Sequence, residues 1–220
     1  MLFRQLFDAS SSTYTYLLAD EESHEASLSD SVFEQASRDL ALLNELGLQL
    51  KLVVDTHAHA DHITAAWLLK QKTGCTIAIS ANAGAENADV LLQDGQRFGI
   101  KGVERGARAA PGHASGCTSF VLADQKMVFT GAALLIRGCG RSDFQQGDPA
   151  RLYRSITEQI FSLPDGYAVY PAHDYNGRTR SSVAEEKQYN PRVGGGADDR
   201  DFVEYMKAMQ LPHPKKIDEA

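Results

Sequence analysis

Three histidines and an aspartate fall within six positions in Thr56-His57-Ala58-His59-Ala60-Asp61-His62, directly after the apolar run Leu50 to Val54. Alternation along an extended chain points His57, His59 and Asp61 to one side, and His62 is expected to begin a helix. Imidazole and carboxylate together suit zinc, iron or manganese. A solvent-facing polar loop has no need for such a concentration of ligands. His113 lies in the tight turn Ala110-Pro111-Gly112-His113-Ala114-Ser115-Gly116, and His173 in Tyr170-Pro171-Ala172-His173-Asp174-Tyr175. Loops of small residues at strand ends commonly present functional side chains. Either histidine alone would read as structural; with the first cluster, both read as ligands. His24 and His213 lack such a setting and read as surface residues.

The elements that must position this cluster alternate strand-rich and helical runs. Residues 2–7, 14–19 and 25–29 read as short strands. Residues 32–46 read as a helix, with Phe33, Ala36, Leu40 and Leu43 on one face, a Ser31–Glu34 capping box and a stop at Gly47. A strand at 50–54 leads into the histidines, a helix at 63–72 follows, and 76–80 is another strand. The stretch 81–110 shows turn signals and little periodicity. Residues 117–123 and 126–130 read as a strand pair. Asp148-Pro149 opens a helix with Leu152, Ile156 and Ile160 on its buried face. A strand at 167–170, a helix at 181–189 and a last helix carrying Phe202, Tyr205, Met206 and Met209 complete the chain. Asn190 to Asp199, with Gly194-Gly195-Gly196, reads as a mobile connection. Mixed strands with helices outside suggest a layered α/β sandwich.

A chain of 220 residues with 43% hydrophobic content fits one compact domain, 1–220. The net charge of -7 gives no pull toward nucleic acid or anionic lipid, so neither is expected as a partner. Three cysteines, Cys75, Cys117 and Cys139, argue for a reducing compartment, the cytoplasm. The N-terminal Met1 to Asp8 lacks a long apolar core and reads as a strand, not a signal peptide. No apolar run of membrane-spanning length is present.

The string Thr56 to His62 matches the HxHxDH signature of the metallo-β-lactamase superfamily. The Pro111-Gly112-His113 turn and His173 match its next metal-binding histidines in order. The resemblance runs over nearly the whole chain and implies an αββα sandwich with metal at one edge of two central sheets. Within that superfamily the chain resembles the persulfide dioxygenases of the ethylmalonic-encephalopathy-protein type. The segments that carry this are Arg4 to Asp8, Ser11 to Asp20, Phe129-Thr130-Gly131, Ala133 to Arg141, Ser142 to Asp148 and Tyr170 to Tyr175. The run from Leu134 to Asp148 separates this group from glyoxalase II.

The resemblance implies one non-haem Fe(II) per chain, held by two histidines and an aspartate, with open positions for water, O2 and substrate. His57 and His113 are the implied histidine ligands. His59, Asp61, His62 and His173 would line the site; in two-metal relatives these positions bind a second metal. The implied reaction, a step of hydrogen sulfide metabolism, is oxidation of glutathione persulfide by O2 to sulfite and glutathione. Arg141 and Asp143 are the positions expected to contact glutathione: a guanidinium grips a carboxylate in bidentate fashion, and Asp143 meets the ammonium or orients Arg141. A structural ion pair would account for Arg141 as well. Tyr175 is expected to reach the metal-bound water or oxygen, so that Tyr175, Arg141 and Asp143 are the expected catalytic residues, and Cys139 is expected near the substrate, although a buried structural thiol is the commoner fate of a cysteine. The resemblance also implies a homodimer, and any rhodanese-type sulfurtransferase would be a separate partner.

The sequence departs from the family at one ligand. Where the family reads Thr-Gly-Asp-Ala, this chain has Thr130-Gly131-Ala132-Ala133, so the carboxylate of the iron triad is replaced by a methyl group. Ala114 stands where Thr is usual, Ser29 where a strand apolar residue is usual, and residues 97–107 look rearranged. Three readings of Ala132 stay open: an introduced substitution that disables an intact enzyme, a natural homologue with lost or altered chemistry, or a position left to water or an anion with His59 recruited as a ligand. Two alternatives to the dioxygenase also stay open, a glyoxalase II-like zinc thioester hydrolase and a non-catalytic homologue that binds a glutathione-type ligand.

Overall fold

The computed structural model describes residues 1–210. Two six-stranded mixed sheets pack face to face with helices on both outer sides, the αββα sandwich that the sequence resemblance implies. The first sheet runs β1 (Leu2–Asp8), β2 (Thr13–Ala19), β3 (Glu25–Ser29), β4 (Gln49–Val54), β5 (Thr76–Ser80) and β6 (Val90–Leu92) in order across the sheet. β1, β2 and β3 are antiparallel neighbours, and β3 to β6 are parallel. In the second sheet β7 (Arg97–Ile100), β8 (Val103–Ala109), β9 (Thr118–Leu122) and β10 (Met127–Gly131) form an antiparallel meander. β11 (Ala168–Pro171) then pairs parallel to β10, and β12 (Ser181–Ser182) closes the edge.

Three apolar layers follow from strand alternation. Tyr14, Tyr16, Leu18, Val54, Phe120 and Phe129 fill the space between the sheets. The opposite faces of the first sheet, Leu17, Leu28 and Val53 among them, meet α1 (Ala36–Glu45) and α2 (Ala66–Thr73) through Leu43 and Leu69. Val128 and Val169 of the second sheet meet α3 (Pro149–Arg154), its π-helical continuation Ser155–Ile160, and α5 (Asp199–Ala208), with α4 (Val183–Tyr189) beside them. Side chains that alternate across a strand serve two layers at once when both sheet faces are covered. No helix among the described residues is long and apolar enough to cross a membrane.

Several element expectations hold. Asp148 caps α3 by accepting from the amides of Ala150 and Arg151, with proline in the first turn. Ser182 caps α4. Gly47, at φ 64°, ends α1. Others need correction. The Ser31–Glu34 capping box does not form; Ser31 keeps a buried, unpartnered hydroxyl, and a 3-10 turn at Phe33–Gln35 precedes α1. The cause is tertiary: Val32 bridges Thr64, and the Phe33 amide donates to the carbonyl of Ile63. The same pairing holds residues 62–65 in the loop, so α2 begins at Ala66 and His62 does not start a helix. Phe33 is consequently 46% exposed instead of buried on the helix face. The unreadable stretch 81–110 holds three strands, β6, β7 and β8. The connection expected to be mobile is anchored at its start: the buried Asn190 amide bonds the Gly138 carbonyl and Glu186 and accepts from the amides of Arg192 and Val193.

The unusual Ser29 and the rearranged 97–107 segment meet in the interior. Arg105, on β8, is fully buried and donates through Nη1 to the Ser29 hydroxyl at 3.0 Å. Its guanidinium lies 4.9 Å from the centre of the Phe98 ring, and its Nε and Nη2 have no partner. Burial holds its pKa down, at about 10, against the attraction of Asp30.

Candidate metal centre

The site forms at the edge where β3, β4, β10 and β11 end. Asp30, just past β3 in a left-handed conformation (φ 52°), is buried beneath it. Asp30 Oδ1 accepts from the Thr56 amide at 2.7 Å, the Thr56 hydroxyl at 2.9 Å and His59 Nε2 at 3.2 Å. Thr56 has one hydroxyl proton and gives it to Asp30. The 2.9 Å contact between Thr56 Oγ1 and His57 Nδ1 therefore has the histidine as donor, which leaves His57 Nε2 as a bare acceptor. His113 Nδ1 donates to the Arg141 carbonyl at 2.6 Å, and its Nε2 is likewise left bare. His59, with Nε2 on Asp30, has a buried Nδ1 without a partner, and His62 a buried Nε2 without one. His62 Nδ1 lies 3.1 Å from Asp61, and His173 Nδ1 lies 3.2 Å from the Thr13 hydroxyl.

Close backbone approach makes this possible at two glycines. Gly131, at φ 57°, packs so that a Cβ would stand 2.7 Å from Thr56 Oγ1. At Gly140 a Cβ would stand 2.4 Å from the Ala132 carbonyl and 2.8 Å from His113 Nδ1.

The rings form one cluster: His57 to His59 4.1 Å between centroids, His59 to His62 4.2 Å, His57 to His113 5.1 Å, and His59 to His173 5.9 Å. Ligand atoms of His57, His59 and His173 lie within 4.8 Å of one another, as do those of His59, Asp61 and His62. Burial, reinforced by the neighbouring imidazoles, holds His57 and His59 well below the usual histidine range, and burial lowers His113 and His173. Burial opposes charge on His62 too, but the bond and charge of Asp61 win and raise it. Burial would also raise Asp61, yet His173 and His62 hold it well below the carboxylate range. Neutral imidazoles with buried, bare nitrogens beside an ionised carboxylate are the protonation states that a divalent metal requires. The residues present fit a metal ion. They do not supply the triad of His57, His113 and an aspartate that the resemblance implies, because Ala132, buried at the site, offers no donor atom; a set of two histidines and one aspartate remains in His59, Asp61 and His62.

A cavity of about 420 Å³ opens over the cluster, lined by Asp61, His113, Ala132, Cys139, Arg141, His173, Tyr175 and Arg192 among others. Arg141 forks onto Asp143, Nε to Oδ1 at 2.6 Å and Nη2 to Oδ2 at 2.7 Å, and lies over the Phe144 ring. Tyr175 is 69% exposed and stacks on His173. Cys139 is buried against Met206, and burial raises its thiol. Every sequence-expected site residue from His57 to Tyr175 thus falls in or beside this edge. His24 is exposed at the opposite end of β3, and His213 lies outside the described residues. Sequence reading missed Asp30, Thr13 and Arg192. Arg192 donates to the Cys139 carbonyl at 2.7 Å, and Asn190-Pro191-Arg192 carried a signal only in its polar anchor just ahead of the glycines.

A metallo-beta-lactamase superfamily model matches residues 6–173. The mitochondrial persulfide dioxygenase ETHE1 of Homo sapiens is 51% identical over 221 residues, spanning 99% of this chain and 85% of that protein. The crystal structure of ETHE1 from Myxococcus xanthus superposes with a TM-score of 0.96 at 49% identity, covering all of this chain and 96% of that one. The hydroxyacylglutathione hydrolase of Methylococcus capsulatus is 32% identical over 199 residues, 90% of this chain and 73% of that protein. This chain belongs to the metallo-beta-lactamase superfamily and, within it, to the persulfide dioxygenases.

Proposed function

We propose that this chain oxidises glutathione persulfide with O2 to sulfite and glutathione, at a rate lowered by Ala132. The observation that carries the reading is 51% identity to a persulfide dioxygenase along 99% of the chain. When bound, iron(II) supplies open coordination positions for a soft sulfur and for O2. His57 and His113 would hold it through their bare Nε2 atoms, each fixed in tautomer by the bond on Nδ1. Arg141, its plane fixed by Asp143, receives a carboxylate of glutathione at the cavity wall. Tyr175 covers the mouth by stacking on His173, and the thiol of Cys139 lies along the wall. The three cysteines are unpaired, which suits a reducing compartment such as the cytoplasm, and a separate rhodanese-type sulfurtransferase is a fitting source of persulfide.

The test is O2 uptake with glutathione persulfide on iron-loaded protein, this chain beside Ala132→Asp. Faster uptake by the variant supports a dioxygenase weakened at its third ligand. No uptake by either, with thioester hydrolysis by the zinc-loaded forms, would replace this reading with the hydrolase suggested by the 32% identity.

A further inference from the structure

We infer that Glu186, a buried residue of α4 outside the cavity, positions the substrate: it clamps the turn at Arg137 and so sets the wall from Leu135 to Arg141 against which glutathione persulfide lies. The inference deepens the function proposed above and rests on it for the identity of the substrate.

Leu135, Cys139, Gly140 and Arg141 line the cavity from a loop that belongs to neither sheet nor helix. The loop reverses where Leu135 and Gly138 exchange backbone bonds at 3.0 and 3.3 Å, with Arg137 at φ 58°. A residue with a Cβ avoids that left-handed conformation unless its surroundings impose it. Glu186 imposes it. Its Oε2 accepts from the Arg137 amide at 2.9 Å and from Asn190 Nδ2 at 2.8 Å. Its Oε1 accepts from the Ser181 hydroxyl at 2.6 Å and from Arg137 Nη1. One carboxylate thus grips Arg137 by main chain and side chain together. Four donors meet the four acceptor positions of an ionised carboxylate, which a glutamine, carrying two N–H donors of its own, cannot reproduce. Asn190 carries the hold to the wall. Its Nδ2 also donates to the Gly138 carbonyl at 3.0 Å, and its Oδ1 accepts from the Arg192 amide at 3.0 Å. Arg192 in turn donates through Nη1 to the Cys139 carbonyl at 2.7 Å. Arg137, Gly138 and Cys139 therefore hang from the hub around Glu186, two positions short of the Arg141 guanidinium proposed to receive the substrate carboxylate. Positioning tolerates little error, since a shift of about 1 Å can cost about a hundredfold in rate.

The test compares Glu186→Gln with Glu185→Gln, its exposed neighbour, by O2 uptake with glutathione persulfide on iron-loaded protein in the Ala132→Asp background. Glu186→Gln is expected to raise KM about tenfold and to leave kcat within about twofold, whereas Glu185→Gln changes neither. A variant that is merely less stable loses active molecules, which lowers kcat and leaves KM alone. Asn190→Ala cuts the link from the carboxylate to the Gly138 carbonyl while sparing the grip on Arg137, and should raise KM at least about threefold. Hydrogen exchange on the unmutated chain needs no variant to fold: the Arg137 amide should be protected as strongly as the amides of α4. An unchanged KM in Glu186→Gln, a loss confined to kcat, or an Arg137 amide that exchanges as fast as an exposed loop overturns the clamp and leaves the dioxygenase reading standing. No O2 uptake in the Ala132→Asp protein itself counts against that reading instead; glutathione affinity by calorimetry then decides the clamp, with the same tenfold loss expected in Glu186→Gln and an unchanged affinity refuting it.

Discussion

Asp55 is buried at the start of the histidine loop, and its Oδ1 has no partner. Burial, with the charge of Asp30 nearby, raises its pKa from 3.8 to about 7. A carboxyl whose folded pKa lies above its unfolded one binds protons more tightly when folded, so stability falls as pH rises between the two values. At about 1.36 kcal/mol per unit, a rise of roughly 3 units is a ceiling near 4 kcal/mol at pH 8; relaxation and water entry bring the expected penalty to about 2 kcal/mol. Asp55→Asn removes the charge and keeps the shape. For a chain of this size each kcal/mol moves Tm by about 2–4 °C. Thermal melts of chelator-treated protein should therefore show the variant about 4–8 °C above the parent at pH 8. The gain should shrink through pH 7 and be nearly gone by pH 4, where the parent's Asp55 is itself neutral. An equal effect at both ends, or a less stable variant at pH 8, would refute the account of a desolvated carboxylate with one unpartnered oxygen.

Arg105→Met should stabilise the chain. Two unpartnered nitrogens cost about 1–3 kcal/mol each, roughly 4 kcal/mol together at midrange, against about 2 kcal/mol lost with the Ser29 bond and the Phe98 stack, so the net of about 2 kcal/mol should raise Tm by roughly 4–8 °C in calorimetry. Gly131→Ala forces a Cβ onto Thr56 in a left-handed conformation. Urea unfolding should show a loss of about 1–3 kcal/mol, and zinc titration a weaker site, because Thr56 holds His57. Arg141→Ala should raise KM for glutathione persulfide about tenfold with little change in kcat, measured by O2 uptake in the Ala132→Asp background; an unchanged KM would reduce Arg141 to a structural partner of Asp143.

The legible part of this molecule was the part written in short, local patterns. The Thr56 to His62 string, the small-residue turns around His113 and His173, and the Asp148-Pro149 helix start each announce themselves within a few residues. The resemblance then supplied the sandwich and its edge. Asp30, Thr13 and Arg105 stayed invisible because each is a single polar residue in or beside a strand, where an isolated polar side chain reads as a surface position. Their meaning lies in partners far along the chain: Asp30 with Thr56 and His59, Thr13 with His173, Arg105 with Ser29. The Ser31 box failed for the same reason, since Val32 and Phe33 pair with the end of the histidine loop. The stretch 81–110 resisted because β6 and β7 are three and four residues long, too short for a period to show.

One seam joins the two sheets at the metal edge. The Tyr14 amide donates to the Ala172 carbonyl, the Asp174 amide donates to the Ser12 carbonyl, and Thr13 touches His173 from the strand between. Seen as a sequence of events during synthesis, this makes the seam a late fastening. Thr13 and the His57 to His62 loop leave the ribosome long before β11 exists, so the cluster stays incomplete until the second sheet arrives. Assembly of the full cluster is thereby tied to completion of the sandwich, and an ion bound across it would latch the first-made strands to the last.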